Sequence, residues 1–349
     1  MNIEAARSCA RNWVEAEGVA LPGFVAAFLA GSTNDLSDDA ELEPTSDLDV
    51  MVVLEGINTR LKPGKFVYRG VLLEVSIIDV DVLSCSETVL GHYHLGRVIA
   101  TARILADPTG LLTRLRNDVA DHFGERKWIE KRTHQAAETV LVRLDSITPD
   151  RPFEERVMAW LFAVCGLPHV LLVAGLRNPT VRKRYVAVKA LLAEASIPDG
   201  IYDAMLDALD PERLPASRVL HHLNALAGAF DAASGVVRSP VFFASDLSQE
   251  ARPLAIDGSR ELIDTGLHRE TLFWIVATFC RCQIVLHADA PSYLAHRWDD
   301  AFRSLLADLG ITSGADLVAR GGDVRALLPT IREVARQITG QVEAGPYPS

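Results

Sequence analysis

The spacing of apolar residues changes several times in the first third of the chain. Ile3, Ala6, Ala10, Trp13 and Val14 recur at three- and four-residue intervals, which predicts an amphipathic helix over Met1 to Glu17 that ends at Gly18. Phe24 to Ala30 is a short unbroken apolar run, as a buried strand shows, and it stops at Gly31-Ser32. A polar stretch, TNDLSDDAELEPTS, then leads to DLDVMVVL, a second strand candidate. Side chains alternate along a strand, so Leu48, Val50, Val52 and Leu54 take the core face while Asp47 and Asp49 share the other. Residues 65–79, KFVYRGVLLEVSIID, form two β-rich runs broken at Arg69-Gly70, a hairpin signal. A helical patch around Leu83 to Leu95, a short strand or turn at ARILADP, and a helix over Leu111 to Phe123 complete this part.

From about Glu125 onward helical periodicity takes over. It predicts helices at Trp128–Leu144, Glu154–Leu176, Val181–Ala195, Ile201–Leu209, Ala216–Ala232, Glu270–His287, Pro291–Leu309 and Ala326–Ile338. Gly235 to Asp264 is mostly irregular, with one apolar cluster at Val241–Phe243. The fold class is therefore α+β: residues 1–125 carry a mixed β-sheet flanked by helices, and residues 126–349 an all-α bundle. Val157 to Leu176 is long enough to span a bilayer, but Pro168 and His169 interrupt it, and TLFWIVATFC stops at Arg281. Both are read as buried bundle helices, with no membrane partner.

Charge narrows the possible partners. Lys and Arg total 35 against 46 Asp and Glu, a net charge of −11. That balance opposes a partner held by many phosphate contacts, so nucleic acid is not expected, whereas a small cationic molecule or a metal-bridged nucleotide is compatible. Five cysteines without framework spacing suit a reducing compartment, and the amphipathic first helix lacks the apolar core of an export signal. The expected location is the cytoplasm. The pattern leaves the oligomeric state open.

The candidate chemistry lies in FLAGSTNDLSDDAELEPTSDLDVMVVL. Asp47 and Asp49, side by side on one strand face, repel each other, and a divalent cation relieves that repulsion on a rigid support. Gly31 permits close backbone approach, and Ser32 offers a hydroxyl and an N–H to a phosphate. Glu74, with Ser76, occupies one face of an apolar run whose other face holds Leu73, Val75 and Ile77. A carboxylate there is expensive to bury unless a metal or a proton-transfer partner uses it.

Gly31-Ser32, then Asp47-Leu48-Asp49, then Glu74 in LEVS resembles the signature of the nucleotidyltransferase superfamily that includes DNA polymerase β. Within it, SDLD and LEVS are similar to the motifs of bacterial aminoglycoside adenylyltransferases. The resemblance spans residues 24–80 and implies specific roles. Asp47 and Asp49, with Glu74 as a third ligand or as the base for the acceptor hydroxyl, would hold Mg²⁺ bridging the phosphates of ATP or another nucleoside triphosphate. Gly31 and Ser32 would contact the β- or γ-phosphate. PTVRKRYVAVKALL is similar to the family's Ser-Lys segment, which assigns Lys183, with Arg184 beside it, to a phosphate contact. The implied reaction transfers a nucleoside monophosphate, AMP in the first instance, to a hydroxyl of a small acceptor such as a cationic, aminoglycoside-like antibiotic, releasing pyrophosphate. The alternatives are a toxin–antitoxin-type enzyme modifying RNA or protein, and a regulator that binds nucleotide without turnover.

Other polar residues carry less. His92, His94 and Cys85 follow no zinc pattern and are expected to be surface or capping groups. Cys280 and Cys282 do not share a helix face. His221-His222 has no carboxylate nearby in sequence and is read as a helix-surface pair, and the acidic stretch Asp35 to Glu43 as a solvated, mobile loop.

Overall fold

Five strands form one mixed sheet in the order β3-β4-β2-β1-β5: β1 is Phe24–Ala30, β2 Leu48–Leu54, β3 Gly64–Tyr68, β4 Val71–Asp79 and β5 Arg103–Ala106. β2 and β4 run parallel and the other neighbours antiparallel. The computed structural model describes residues 1–56 and 63–342. They divide into two units, the first made of Met1–Arg132, Pro240–Leu254 and Val342, the second of Thr133–Ser239 and Ala255–Gln341. Pro240–Leu254, which the pattern counts with the helical half, thus belongs with the sheet.

In the first unit the opening helix α1, Ile3–Ala16, buries Ala6, Ala10, Trp13 and Val14 in one core cluster with Ala27, Leu29, Leu48, Val50, Val52, Leu73 and Val75. The Trp13 ring meets Phe66 of β3 with centroids 5.6 Å apart. One sheet face is therefore closed by α1, and the residues of opposite parity point the other way. The helical patch after β4 is two short helices, α2 (Ser86–Gly91) and α3 (Leu95–Ala100). His92 lies between them, its Nδ1 accepting from the backbone N–H of His94 and Leu95 at 3.3 and 3.2 Å, so it is a capping residue. α4, Leu111–His122, follows β5.

The remaining helices are α5 (Arg126–Asp145), α6 (Phe153–Val164), α7 (Leu167–Ala174), α8 (Arg184–Glu194), α9 (Gly200–Leu209), α10 (Ala216–Val236), α11 (Gly258–Asp264), α12 (Leu272–Asp289), α13 (Ser292–Ala295), α14 (Asp299–Asp308) and α15 (Gly314–Gln341). The single helix expected over Glu154–Leu176 is two. It breaks at Cys165-Gly166, where a Cβ on Gly166 would sit 2.9 Å from Val140, and Pro168 falls in the first turn of α7, where it breaks no bond. Pro291–Leu309 likewise divides into α13 and α14. The stretch taken as irregular contains α11, entered through a π-helical turn at Pro253–Asp257. Two helical stretches, Phe153–Ala174 and Leu272–Asp289, are long and apolar enough to cross a membrane; 89% and 72% of their apolar windows are buried, as in core helices.

Arg132 joins two helix ends in the first unit. It is 1% exposed, its Nη1 donates to Leu90 O at 2.9 Å and its Nη2 to Phe123 O at 2.7 Å, and the guanidinium lies 4.0 Å from the Phe123 ring centroid. Those carbonyls end α2 and α4, where a cation is favoured. Burial pushes the guanidinium down to about 10, which leaves it charged at neutral pH. Arg132→Met strands both carbonyls and should cost about 3 kcal/mol. Arg132→Lys should recover only part of that, because one ammonium cannot repeat the planar fork. Urea denaturation midpoints measure both; an unchanged midpoint in Arg132→Met would remove this anchor.

Candidate functional site: a row of charged residues across the sheet

Strand register brings the sequence-predicted carboxylates together. Asp49 of β2 pairs with Glu74 of β4, Glu74 with Lys65 of β3, and Asp49 with Ala30 at the end of β1. Paired residues share a face, so Lys65, Glu74 and Asp49 form one row across three strands, on the side opposite α1. Asp47 immediately precedes β2 and has the same parity as Asp49. The alternation that buries Leu48, Val50, Leu73 and Val75 against α1 is what turns these carboxylates outward.

Lys65 is the residue that sequence reasoning missed. Its Nζ donates to both Asp47 Oδ2 and Glu74 Oε2, and lies 3.9 Å from Oδ1 of Asp246. Asp246 sits in the 3₁₀ turn Ala244–Leu247, within the returning segment of the first unit. The Lys65 side chain is 7% exposed, and those of Asp47, Glu74 and Asp246 are 18, 20 and 15%. Burial alone would favour the neutral amine, but Asp47, then Glu74 and Asp246, outweigh it and raise the pKa, so the ammonium stays charged. The turn at Arg69-Gly70 held the signal: Tyr68 opposite Val71 puts Lys65 opposite Glu74. Asp246 has no comparable signal.

Gly31 and Ser32 border the row. Gly31 has φ 75° and ψ −173°, a region essentially closed to residues with a Cβ. A Cβ there would lie 1.7 Å from Asp49 Oδ2, so the carboxylate rests against the bare Cα. Ser32 is exposed and starts the turn Ser32–Asp35. Arg7 of α1, 8% exposed, fixes that turn by donating to Thr33 O at 2.7 Å, Leu36 O at 2.9 Å and Asn34 O at 3.4 Å. The acidic stretch is pinned rather than loose. Asp35 accepts from Arg97 through both oxygens at 2.8 Å, Asp38 pairs with Arg7, and Glu41 pairs with the N-terminal amine at 2.8 Å.

Lys183 and Arg184 lie in the second unit, away in sequence from the carboxylates. Lys183 is exposed at the N-cap of α8. Arg184 is not at the surface: it is 1% exposed, donates to Val181 O at 2.7 Å and Cys165 O at 2.6 Å, and its guanidinium stacks 3.8 Å from the Phe273 ring centroid. Its observed contacts are those of a core anchor, which corrects the phosphate role expected of it. His222 is also corrected. It is 1% exposed, and its Nε2 faces Asp308 Oδ2 of α14 at 2.7 Å, a carboxylate too distant in sequence to have been anticipated. Cys280 and Cys282 are both buried in α12, where burial, the largest influence, raises both thiols.

Chemically, the row offers carboxylate oxygens, the donor type a hard divalent cation takes, gathered around the Lys65 ammonium. No protein-family model matches the chain, and no curated protein matches it. Among solved structures, the chain is similar to a nucleotidyltransferase-like protein from Exiguobacterium sibiricum 255-15, with a TM-score of 0.31 and 12% identity over 88% of this chain and 89% of that one.

Gly31→Ala tests the close approach. It should cost about 1–3 kcal/mol from the backbone conformation and displace the Asp49 carboxylate. Denaturant unfolding together with a crystal structure of the variant checks both; an unmoved Asp49 would sink the argument.

Proposed function

We propose that the chain is a metal-dependent nucleotidyltransferase, moving a nucleoside monophosphate, AMP from ATP in the first instance, to a hydroxyl of a small molecule. The observation that carries this reading is the register that sets Asp49 and Glu74 side by side, with Asp47 beside them and Gly31 beneath Asp49. Asp47 and Asp49 would hold Mg²⁺, which when bound offsets the charge of the triphosphate. The donor set fits it: the oxygens are hard, and the cradle over Gly31 leaves room for a carboxylate that a Cβ would exclude. Glu74 takes the proton of the acceptor hydroxyl, a poor nucleophile at neutral pH. Ser32 donates to a phosphate oxygen. An aminoglycoside-like, polycationic acceptor suits an acidic protein with carboxylates around the reacting centre.

One observation favours a second reading, a nucleotide-binding regulator without turnover: Lys65 already neutralises Asp47 and Glu74. The two readings differ in outcome. With labelled ATP, Mg²⁺ and a panel of aminocyclitols, the transferase forms a labelled product and pyrophosphate, whereas the regulator binds ATP and releases neither.

Glu74→Gln should lower transfer by roughly 10²–10⁴-fold while ATP binding persists; turnover at the unmodified rate would disprove its role as base. Lys65→Met leaves crowded carboxylates without their ammonium and should cost about 3 kcal/mol in metal-free buffer. Mn²⁺ should then raise the melting temperature of this variant more than that of the unmodified protein. Equal shifts would show that lysine and metal do not share the site.

A further inference from the structure

The second unit contains another cluster whose donor chemistry differs from that of the carboxylate row. His287 lies near the end of α12, His296 follows α13, and Asp299 opens α14. Their ligand atoms all fall within 4.8 Å of one another. Nε2 of His287 is 2.9 Å from Asp299 Oδ1, and Nδ1 of His296 is 2.8 Å from Asp299 Oδ2. The two imidazole rings stand 5.1 Å apart at their centroids. Ligand atoms about 2.0–2.1 Å from a tetrahedral metal are separated by roughly 3.3 Å, so small shifts convert this arrangement into a coordination shell.

Two further features separate it from an ordinary surface ion pair. The surroundings hold the donors in place: Gln283, 1% exposed, donates from Nε2 to Asp299 Oδ1 at 2.8 Å, and Oε1 of Glu154 lies 3.9 Å from Nδ1 of His287, the ring nitrogen turned away from the cluster. The Gln283 hydrogen bond orients the Asp299 carboxylate, and the nearby charge of Glu154 favours a cation bound at the other nitrogen of the His287 ring. In addition, Oε1 of Gln283 is buried without a hydrogen-bond partner among the described residues. The Gln283 residue lines a cavity of about 590 Å³ together with Phe153, Glu154, His287, Asp299 and Phe302. A buried acceptor left without a donor costs about 1–3 kcal/mol, and a bound group with an O–H or N–H removes that cost.

We propose that His287, His296 and Asp299 bind a Zn²⁺-class transition metal, with Glu154 and Gln283 as positioning residues. Two imidazoles and a carboxylate select a borderline metal over Mg²⁺, which takes an all-oxygen shell. Three protein ligands leave a fourth position open, and that position is filled by water or by the oxygen or nitrogen donor of a small polar molecule in the cavity, which donates a hydrogen bond to Gln283. The site stands independently of the transferase reading.

The test is metal uptake by the chelator-stripped full chain, with Zn²⁺ in competition with a chromophoric chelator and Co²⁺ as the spectroscopic substitute. The unmodified protein should take up one equivalent with the visible absorption of four-coordinate Co²⁺. His296→Ala should weaken binding at least about tenfold, and Glu154→Gln should weaken it on the order of tenfold without removing a ligand. The His296 side chain is 70% exposed, so its removal leaves folding intact. Asp49→Asn should leave the Co²⁺ spectrum unchanged. No such spectrum in the unmodified protein, equal affinity in His296→Ala, or loss of the spectrum in Asp49→Asn would each overturn the proposal.

Discussion

A charged lysine enclosed by carboxylates ties the charge pairing of the first unit to its strand register. Removing an ammonium from water is costly, and Lys65 is repaid only while Asp47, Glu74 and Asp246 surround it. The ion group and the strand register therefore specify each other. A slip of one residue between β3 and β4 would turn Lys65 toward α1 and Phe66 away from Trp13, burying a charge and exposing an aromatic ring. The same alternation fixes Asp49 over Gly31, whose backbone conformation admits no side chain. Apolar packing on one face and charge pairing on the other thus enforce one geometry.

Much of this was legible in the sequence because it depends on local parity. The period-two alternation in LDVMVVL and VLLEVSIID assigns Asp49 and Glu74 to one face and Leu48, Val50, Leu73 and Val75 to the core, as the structure has them. The mixed sheet followed by helices was legible for the same reason. Sequence patterns give no information on partners that arrive from far along the chain. Asp246 reaches Lys65 from the segment 240–254, and Arg7 of α1 fixes the turn after Gly31 through three carbonyls. Lys65 is an intermediate case. The hairpin turn placed it opposite Glu74, but a lysine at a strand start looks like ordinary solvated charge until the neighbouring strands close around it.

In the helical unit the period identifies helices but not their breaks. Glu154–Leu176 keeps its helical pattern along its length, yet the chain breaks at Cys165-Gly166, where Gly166 lies close to Val140. Polar residues on buried faces are misjudged for a related reason. Arg184 and His222 look like surface groups in a linear pattern, yet carbonyls, an aromatic ring and Asp308 supply the partners that make their burial affordable. A basic residue at a helix start is consistent with either an anion site or a structural anchor, and the direction of its side chain decides between them.

The two charged clusters also differ in what holds them together without a ligand. In the carboxylate row the protein provides its own cation, the Lys65 ammonium. In the histidine cluster the ring nitrogens hydrogen-bond to Asp299, and a metal need displace only protons. A metal held at the proposed imidazole site would therefore replace ring protons, whereas one at the row would have to displace an ammonium. The Lys65 ammonium itself stays charged at neutral pH, because its carboxylate neighbours outweigh burial and raise its pKa. The contrast between the two clusters thus follows from donor chemistry rather than from the fold.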